Sequence, residues 1–454
     1  MRRSIWVVLA FGLYACNGDD SSAPPVDASH GPDARSDAGA GSDAAQSEAS
    51  SDAGRCSTTV DPSADGGDDR AALQLALIDA QSGDTICFGS GRFHVTGQLS
   101  LDVDNVTVRG QADTVLDFTG QTSGANSFEV TADHVTIDTL RIENPHGDGL
   151  RATAVDFVTF RNVHVEWTGG PSASNGGYAI YPVTSSHVLV ENCFASGASD
   201  TGIYVGQSNT IIIRNNEATG NVAGIEIENS TDAEVYGNHS HGNSGGILIF
   251  NLPNLSVKDG KRANVHDNVV EANNLTNFAA PGGLVGTVPT GTGMFILSAD
   301  DNEIHANTVQ NNQSLGIAVV SWFVLMQDSV GHMDPMFDFY PERNNIHDNM
   351  LSNNGSSPQG TLAQTILALL GRTTLPDLTW DGIFDTGKAD GGTGDADAGD
   401  AAPGVPPYSL INCFKSNGSA SFGNLDIGSF PSPHPSYDVT PYECDRPPLP
   451  AITF

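Results

Sequence analysis

The sequence predicts an all-β solenoid, a single-stranded right-handed parallel β-helix with an N-terminal capping helix and an irregular C-terminal tail. Two successive segments, HVLVENCFASGASDTGIYVGQSN and TIIIRNNEATGNVAGIEIENSTD, have the same length of 23 residues and the same order of short strands and turns. Asparagines recur at equivalent places, and a glycine followed by an apolar residue recurs in register with them. Repeats of this size made of strands and turns are typical of solenoids, whose coils bury an apolar face only by stacking.

The recurring asparagines indicate where successive coils lie on top of one another. Asparagine adopts left-handed turns more readily than most residues, and its amide can bond the same amide one coil away. The intervals are 23 residues in bare coils and longer elsewhere, which predicts inserted loops at 169–177, 252–262, 274–291 and 321–343. The aligned asparagines are Asn162, Asn192, Asn215, Asn238, Asn268, Asn307 and Asn349.

The first residues indicate export rather than a fold element. Arg2 and Arg3 precede an apolar run over residues 5–15 that is too short to span a bilayer. Small residues before Cys16 resemble the bacterial lipobox, in which that cysteine is lipidated; the alternative is an ordinary signal peptide with a chance cysteine. We therefore expect a lipoprotein signal at 1–16 and a location at the cell envelope, on the outer membrane, held by acyl chains on Cys16.

Acidic residues dominate the chain, whose formal net charge is −35. Residues 17–55 consist almost entirely of Ser, Ala, Gly, Asp and Pro, which predicts a disordered tether. This tether holds eight acids and two arginines, so most of the negative charge belongs to residues 56–454. Such a charge argues against nucleic acid as a partner and against polyanions bound without cations.

The rest of the chain divides into three parts. Residues 56–100 predict a cap, in which an amphipathic helix over 68–82 covers the open end of the core, together with the first strands. Residues 101–357 hold the β-helix repeats. Residues 358–454 predict a helical and irregular tail that begins with a helix over 361–371, includes a low-complexity insert at 388–404, and packs back on the last coils.

The cysteines fit an exported protein, since disulfides persist in oxidising compartments. Cys56 and Cys87 bracket the cap, and Cys413 and Cys444 bracket the tail, so we expect one disulfide within each pair. Cys193 then remains inside a coil as a small core residue; a catalytic thiol is the alternative interpretation.

Several segments are similar to those of the pectin-lyase-like β-helix superfamily. The clearest are VEWTGGPS at 165–172, ASDTGIYVGQS at 198–208 and NVAGIEIENS at 221–230. More closely, the chain resembles an uncharacterised family of exported bacterial right-handed parallel β-helix repeat proteins of the lipoprotein type. The resemblance implies the fold and an exported location. It supplies no active site, because that family has no settled activity.

The active-site sequences of characterised relatives are incomplete in this chain. Of the polygalacturonase set only Asp300-Asp301 is present, and the nearest match to the Asp-Pro-His-Asp of alginate epimerases is NPHGD at 144–148. Basic residues are scattered singly, unlike the calcium carboxylates and adjacent base of pectate lyases. No known chemistry transfers intact.

One outward row of side chains combines aromatic rings and carboxylates. Stacking places side chains of neighbouring coils about 5 Å apart on such a row. Rings stack on sugar faces and acids accept hydroxyl hydrogen bonds, so the row predicts a sugar-binding groove; the alternative is a solvated side-chain ladder. The candidate catalytic pair, suited to general acid and base chemistry, is Asp200 and Glu226. The candidate substrate-binding residues are Asp148, Arg151, Trp167, Tyr178, Tyr181, Tyr204 and Glu228.

Two of these residues, Trp167 and Tyr178, lie beside the loop at 169–177 and are expected to wall one side of the groove; core packing is the alternative. In later coils the same row becomes apolar, at Leu248 and Phe295. A long apolar stripe in contact with water is unusual, so we expect a long loop or the tail to cover it.

A second row repeats histidine, at His266, His305 and His347. Stacked imidazoles on adjacent coils are suited to share a transition metal, as in periplasmic copper handling, although a metal site also needs converging ligands. The alternative is a repeat without a ligand. The segment DADAGD at 395–400 resembles a calcium loop, for which low complexity is the alternative. Calcium or a transition metal is therefore a hypothesis, and no cofactor is expected.

These observations predict an envelope-anchored protein that binds a carbohydrate polymer. Whether it also cleaves or modifies the polymer stays open; as an enzyme it would be a polysaccharide lyase, a glycoside hydrolase or an epimerase. The alternative is a non-enzymatic scaffold that binds an envelope protein partner through loops 252–291 and 321–343, since long loops on a rigid stack often form binding surfaces.

Overall fold

The computed structural model describes residues 55–325, 336–390, 405–429 and 432–454. The signal with Cys16, the tether up to residue 54 and the DADAGD segment lie outside the described residues. The folded body, 56–454, is a parallel β-helix whose coils have three faces, as the repeats predict.

The first two faces belong to one sheet of 20 strands, because β8 and β10 are long enough to bend across both. The strands of the first face are β1 Thr58–Val60, β2 Thr85–Phe88, β5 Thr107–Arg109, β8 Val135–Glu143, β10 Asp156–Glu166, β12 Ser186–Glu191, β15 Asn209–Arg214, β18 Thr231–Tyr236, β21 Lys261–His266, β24 Glu303–His305, β27 Asn345–His347 and β30 Cys413–Lys415. The second face adds β3 Gly91–His94, β6 Thr114–Asp117, β13 Phe194–Ser196, β16 Glu217–Thr219, β19 His239–His241, β22 Val269–Glu271, β25 Thr308–Gln310 and β28 Met350–Ser352.

The third face is a separate sheet of 11 strands, and it carries the aromatic and acidic row. Its strands are β4 Gly97–Leu101, β7 Ser123–Val130, β9 Asp148–Thr153, β11 Tyr178–Val183, β14 Thr201–Gly206, β17 Ala223–Glu228, β20 Gly245–Phe250, β23 Thr292–Leu297, β26 Leu315–Val320, β29 Leu378–Trp380 and β31 Phe422–Asn424.

Helices are few among the described residues. The helices are α1 Arg70–Ile78, α2 Trp322–Leu325, α3 Gly360–Leu370 and α4 Thr386–Asp390, with 3-10 turns at Leu284–Thr287, Ile427–Ser429 and Thr440–Tyr442. The cap helix α1 is shorter than predicted, and it buries Leu73 and Leu77 in the solenoid core. A membrane-crossing helix of sufficient length and apolar character is absent from the part of the chain that the structure describes.

The core is built from stacked aliphatic side chains. On the third face Ile203, Ile225 and Ile247 stand in register on successive strands and are fully buried. Each such side chain contributes about 1.5–3 kcal/mol by leaving water. The coils are therefore held by a continuous apolar column, as expected for repeats that cannot bury a face alone.

Asparagine ladders run through the interior at a corner of the coils. The Asn216 amide nitrogen donates to Asn238 Oδ1 at 2.9 Å, and the pattern continues through Asn268, Asn307 and Asn349. The predicted alignment was therefore wrong by one residue in the earlier coils. There Asn162, Asn192 and Asn215 occupy the preceding left-handed position, with φ between 53° and 57°, and the ladder begins at Asn216.

Two features of the C-terminal part differ from the prediction that the repeats end near residue 357. Strand β29 pairs with β26 and completes the coil that β27 and β28 begin, and β30 and β31 belong to a further coil that pairs with β27 and β29. The last six residues, 449–454, then lie lengthwise along the first face. The Leu449 and Ile452 amides donate to the carboxylates of Glu303 and Glu234, and Phe454 contacts the Phe157 ring edge-on.

Both predicted disulfides are confirmed. Cys56 bonds Cys87 at the first coil, and Cys413 bonds Cys444 at the last. Cys193 is a free, buried thiol. Burial raises the pKa of Cys193 to about 12, so the thiol stays protonated and unreactive, in agreement with a core role.

Candidate functional site

The predicted row on the third face is confirmed by the strand register. Arg151 of β9 pairs with Tyr181 of β11, and Tyr204 of β14 pairs with Glu226 of β17. The row begins one strand earlier than predicted, because Glu129 pairs with Arg151. Side chains distant in sequence are therefore neighbours on one surface.

Three tyrosine rings pack together on this row. The centroid of Tyr178 lies 4.3 Å from that of Tyr181 and 4.7 Å from that of Tyr204, and the Tyr181 and Tyr204 centroids lie 5.0 Å apart. The Arg151 guanidinium lies over the Tyr181 ring at 4.9 Å and donates from Nε to Thr153 Oγ1. Tyr178 and Tyr181 remain partly exposed, whereas Tyr204 is buried.

Four carboxyl groups surround the tyrosines. Asp148 and Asp200 are partly exposed, whereas Glu226 and Glu228 are 3% and 9% exposed. The Tyr178 backbone amide donates to Asp148 Oδ1 at 3.2 Å, and the Tyr204 hydroxyl donates to Glu228 Oε1 at 2.5 Å. The site thus has a partly open mouth and a closed interior.

Burial makes these carboxyl groups hard to ionise. It raises the pKa of Asp148 and of Asp200 to about 6, and that of Glu228 to about 7. Burial, followed by the charges of Glu228 and Asp200, raises the pKa of Glu226 well above its ordinary value. Groups with such shifts cluster at functional sites more often than elsewhere.

The Thr201 hydroxyl connects the candidate catalytic pair. Its oxygen lies 2.6 Å from Glu226 Oε2 and 3.0 Å from Asp200 Oδ1. The Thr201 hydroxyl is thus within hydrogen-bonding distance of both acids. Burial raises the pKa of Asp200 to about 6 and that of Glu226 well above its ordinary value, so the two carboxyl groups differ in proton affinity.

A loop and the helix α3 cover the apolar continuation of the row, as predicted. Leu248 and Phe295 belong to a second hydrophobic cluster with Val285 and Val288 of the 274–291 loop. Side chains from the 321–343 loop and α3 complete it, namely Trp322, Phe337, Ala363, Ile366 and Leu367.

The same 274–291 loop reaches the acidic site. A Cβ on Gly283 would lie 3.9 Å from Asp200 Oδ2. A cavity of about 250 Å³ lies elsewhere, on the first face beside residues 449–453. The site is thus a closed cluster with an exposed edge, and not the open groove that the sequence predicts.

Trp167 does not wall this site. Its side chain is 7% exposed and packs in the solenoid core, and the indole Nε1 donates to the Pro145 carbonyl at 2.8 Å. The expectation that Trp167 contacts substrate was wrong because the tryptophan comes before the 169–177 loop, in the corner of its coil. Tyr178, by contrast, lies in the ring cluster.

The histidine row exists, and its ring nitrogens are bonded to neighbouring side chains. The rings of His266, His305 and His347 are stacked nearly parallel, with centroids 5.0 and 5.1 Å apart. Their nitrogens bond side chains of the same face; for example, His347 Nδ1 meets Asp348 at 2.8 Å and Nε2 meets Glu303 at 3.0 Å. Parallel rings direct their nitrogens sideways, so the ligands do not converge.

The histidines continue a ladder of alternating charge along the first face. Asp138 accepts from Arg161 at 3.1 Å, and Glu191 accepts from Arg214 at 2.6 Å in the following coils. Tyr236 then bonds Arg214 and stacks on His266. The row is thus a surface ladder, which agrees with the interpretation without a ligand.

One acidic group among the described residues has metal-like spacing. Candidate ligand oxygens of Asp300, Asp338 and Glu342 all lie within 4.8 Å of one another. However, Arg343 contacts Asp300 at 2.7 Å and Lys388 contacts Asp338 at 2.7 Å. These two cations already pair with the cluster, and the ion pairs join Asp338 and Glu342 to the stack. The Asp300-Asp301 pair is therefore engaged in ion pairs with Arg343.

Sequence reasoning missed three residues of the site. Thr201 bridges the two acids, and Asn126 is buried beside Asp148 on the neighbouring strand. Gly206 makes room for Tyr204, because a Cβ there would lie 2.1 Å from the phenol oxygen. The sequence did contain a signal for Gly206. Alternate residues of a strand share a face, so a glycine two places after Tyr204 indicates that the ring needs space there.

Comparison with known proteins supports the fold. Residues 123–324 match the family model for the right handed beta helix region. This part of the chain is a right-handed β-helix. No curated protein sequence matches the chain. The predicted resemblance is thus confirmed for the solenoid, and the lipoprotein type stays a prediction.

Solved β-helix structures that act on carbohydrate are among the similar ones. The A-module of mannuronan C-5 epimerase AlgE4 from Azotobacter vinelandii has a TM-score of 0.49 at 16% identity, over 70% of this chain and 88% of that one. An exopolygalacturonase from Thermotoga maritima has a TM-score of 0.47 at 12% identity, over 65% and 81%. An alginate lyase from a Paenibacillus strain has a TM-score of 0.40 at 15% identity, over 66% and 97%. Likeness at this level carries no argument about chemistry.

Proposed function

We propose that the chain binds a carbohydrate polymer at the exposed edge of the cluster described above, which we call the tyrosine–acid site. It consists of Tyr178, Tyr181, Tyr204, Asp148, Asp200, Glu226 and Glu228. The observation that supports this most directly is the packing of three tyrosine rings against one another beside carboxyl groups of neighbouring coils. Aromatic faces are suited to the apolar faces of sugar rings, and the carboxyl oxygens of Asp148 and Asp200 are suited to accept sugar hydroxyl protons. The repeat places such groups at strand spacing along a rigid stack.

Access to the inner acids requires movement of the 274–291 loop. Tyr178, Tyr181 and Arg151 are accessible with the loop in place, so the first contacts with a polymer fall on them. Glu226 is bonded to Thr201 and is paired with Leu248, the first residue of the apolar part of the row that the loop covers. Binding at the edge and entry to the interior are therefore separate steps.

Binding is tested by calorimetry with neutral, acidic and basic oligosaccharides. Tyr181→Ala is expected to weaken binding at least about tenfold, because it removes a stacking face and the partner of Arg151. Tyr236→Ala is the matched control, since Tyr236 is a partly exposed, stacked tyrosine on the first face. Equal losses in both variants, or no binding to any glycan, would rule out this site.

The unequal proton affinities of Asp200 and Glu226 favour a second activity, general acid–base cleavage or epimerisation of the bound polymer. Two carboxyl groups with separated proton affinities are the usual equipment for such chemistry. Glu226→Gln should abolish product formation while retaining binding at the edge. If depolymerisation and epimerisation assays of the wild type show no product, the chain is a binding protein only.

The location at the cell envelope belongs to the same proposal. It rests on the Cys16 signal, which lies outside the described residues. Palmitate labelling of the wild type and its loss in Cys16→Ser would support a lipid anchor. A stoichiometric envelope protein captured without any glycan binding would instead favour the scaffold alternative.

A further inference from the structure

The tyrosine–acid site holds more carboxyl groups than cationic groups. Asp148, Asp200, Glu226 and Glu228 contribute four carboxyl groups, whereas Arg151 is the one cation in the described part of the chain that is paired with a ring of the cluster. Arg151 acts on Asp148 and Tyr181 only, at the edge of the site. The interior acids therefore have no cationic partner among the described residues.

A second observation comes from the neighbouring strand. Asn126 is 3% exposed, and its Oδ1 accepts no hydrogen bond from any described residue. Strand β7 places Asn126 directly in register with Asp148 of β9. A buried amide oxygen without a donor is unfavourable by about 1–3 kcal/mol relative to one that is bonded. A ligand that brings N–H donors to the Asp148 side of the site would satisfy it.

We propose that the polymer taken by this site carries protonated amino groups, as in deacetylated hexosamine units, and not uronate carboxylates. An ammonium group has three donors and no acceptor, which matches an excess of carboxyl oxygens and an unbonded amide oxygen. The carboxylates of a polyuronate would face four carboxyl groups, whose ionisation they would oppose further, and one arginine. This inference rests on the proposed function, whose substrate class it names.

Binding of an amino sugar at this site should release protons, whereas non-specific attraction to an acidic surface should not. An ammonium beside Asp148 or Asp200 favours the ionised carboxyl group, so the pKa of that group falls on binding. Near pH 6 these carboxyl groups therefore release protons when the complex forms, and net release is expected where the sugar amines are already protonated. Exposed acids that are already ionised at this pH release none.

The experiment compares three hexamers on the full chain at pH 6. The probes are a glucosamine hexamer, an N-acetylglucosamine hexamer and a mannuronate hexamer, measured by calorimetry in two buffers of different ionisation enthalpy. We expect at least tenfold tighter binding of the glucosamine hexamer than of the neutral one, with net proton release and no binding of the mannuronate hexamer.

Matched variants separate the site from the acidic surface. The double variant Asp148→Asn/Asp200→Asn should remove the preference for glucosamine and the proton release. The control Asp79→Asn/Asp102→Asn neutralises two exposed acids on the same body and should keep both. Thermal unfolding of each variant shows that it is folded. Equal loss in the control would overturn the inference.

The remaining outcomes distinguish this inference from the proposed function. Neutral hexamer bound as tightly as the glucosamine hexamer overturns the inference and leaves glycan binding intact, as does tight binding of the mannuronate hexamer. No binding of any hexamer overturns both. Hexalysine bound as tightly as the glucosamine hexamer, with the same proton release, shows recognition of charge alone and overturns the amino-sugar inference.

Discussion

The Tyr204 hydroxyl donates a 2.5 Å hydrogen bond to Glu228 Oε1 across two adjacent coils. Both side chains are nearly inaccessible to water, at 4% and 9% exposure. The bond links the ring cluster to the deeper acids, because Glu228 also acts on the proton affinity of Glu226. Disruption of this pair should therefore change the environment of both the ring cluster and the buried acids.

Removing the Tyr204 hydroxyl tests this link. Tyr204→Phe leaves the Glu228 carboxyl group buried without its donor, so we expect a loss of about 1–3 kcal/mol in the free energy of unfolding at pH 7. Tyr236→Phe is the control, since its hydroxyl accepts from Arg214 on a more exposed face and should cost less. Denaturant titration of both variants makes the comparison. Equal losses of unfolding free energy in the two variants would show that the Tyr204–Glu228 bond stabilises the fold no more than an exposed hydroxyl bond does.

The raised carboxyl pKa values predict that the site destabilises the fold as the pH rises. The folded pKa values of Asp148, Asp200 and Glu228 are about 6, 6 and 7, above those of unfolded acids. Between pH 4 and pH 7 the folded chain thus holds protons that the unfolded chain has lost, and stability falls on the order of 1 kcal/mol per group and pH unit. Below about pH 4 these groups are protonated in both the folded and the unfolded chain, so they no longer lower the free energy of unfolding.

The measurement compares unfolding free energies of the wild type and Asp148→Asn/Asp200→Asn/Glu228→Gln at several pH values. The variant should gain stability relative to the wild type as the pH rises from 4 to 7, and the difference should level off above about pH 8. A difference that does not depend on pH would contradict the assigned shifts.

The interior asparagine ladder predicts a large effect of a single amide. Asn268 accepts from Asn238 and donates to Asn307 and to the Val235 carbonyl. Asn268→Ala leaves several buried polar groups unpaired, so we expect a loss of about 2–5 kcal/mol in the free energy of unfolding. Asn209→Ala is the control, because Asn209 is exposed and its amide oxygen accepts one bond, from the Thr210 hydroxyl at 3.1 Å. Similar midpoints of denaturation for the two variants would refute the ladder's contribution.

The histidine row predicts that metal content does not depend on it. His305 Nε2 bonds Asn264 Oδ1, and burial lowers the pKa of its imidazole. We expect His305→Ala and the wild type to carry equal amounts of copper and zinc after equilibration with both ions and gel filtration. Elemental analysis provides the readout. One equivalent of metal in the wild type that His305→Ala loses would restore the metal hypothesis.

The repeat pattern predicts which outward residues meet, because strand pairing fixes the register wherever an apolar face is buried. This is why Arg151, Tyr181, Tyr204 and Glu226 are neighbours as expected. The asparagine alignment failed by one residue at Asn215 because two consecutive asparagines occupy the corner. Only side-chain contacts decide that Asn216 points inward and Asn215 takes the left-handed turn.

The closure of the site could not be predicted from the repeats. The 274–291 loop has no repeat of its own, and its docking depends on Val285 and Val288 meeting an apolar surface made by other coils. The last coil was missed for a related reason. Its strands β30 and β31, like β29 before them, are three residues long and are separated by segments without the pattern, so they lack a visible period.

The C-terminal residues 449–454 change how such a stack should come apart. Coils that touch only their neighbours are expected to loosen from the ends inward, one at a time. Here Ile452 bonds a residue 218 positions earlier, and Phe454 reaches Phe157. Detaching the terminal coil therefore strips contacts from the middle of the rod, which couples both regions into one cooperative transition.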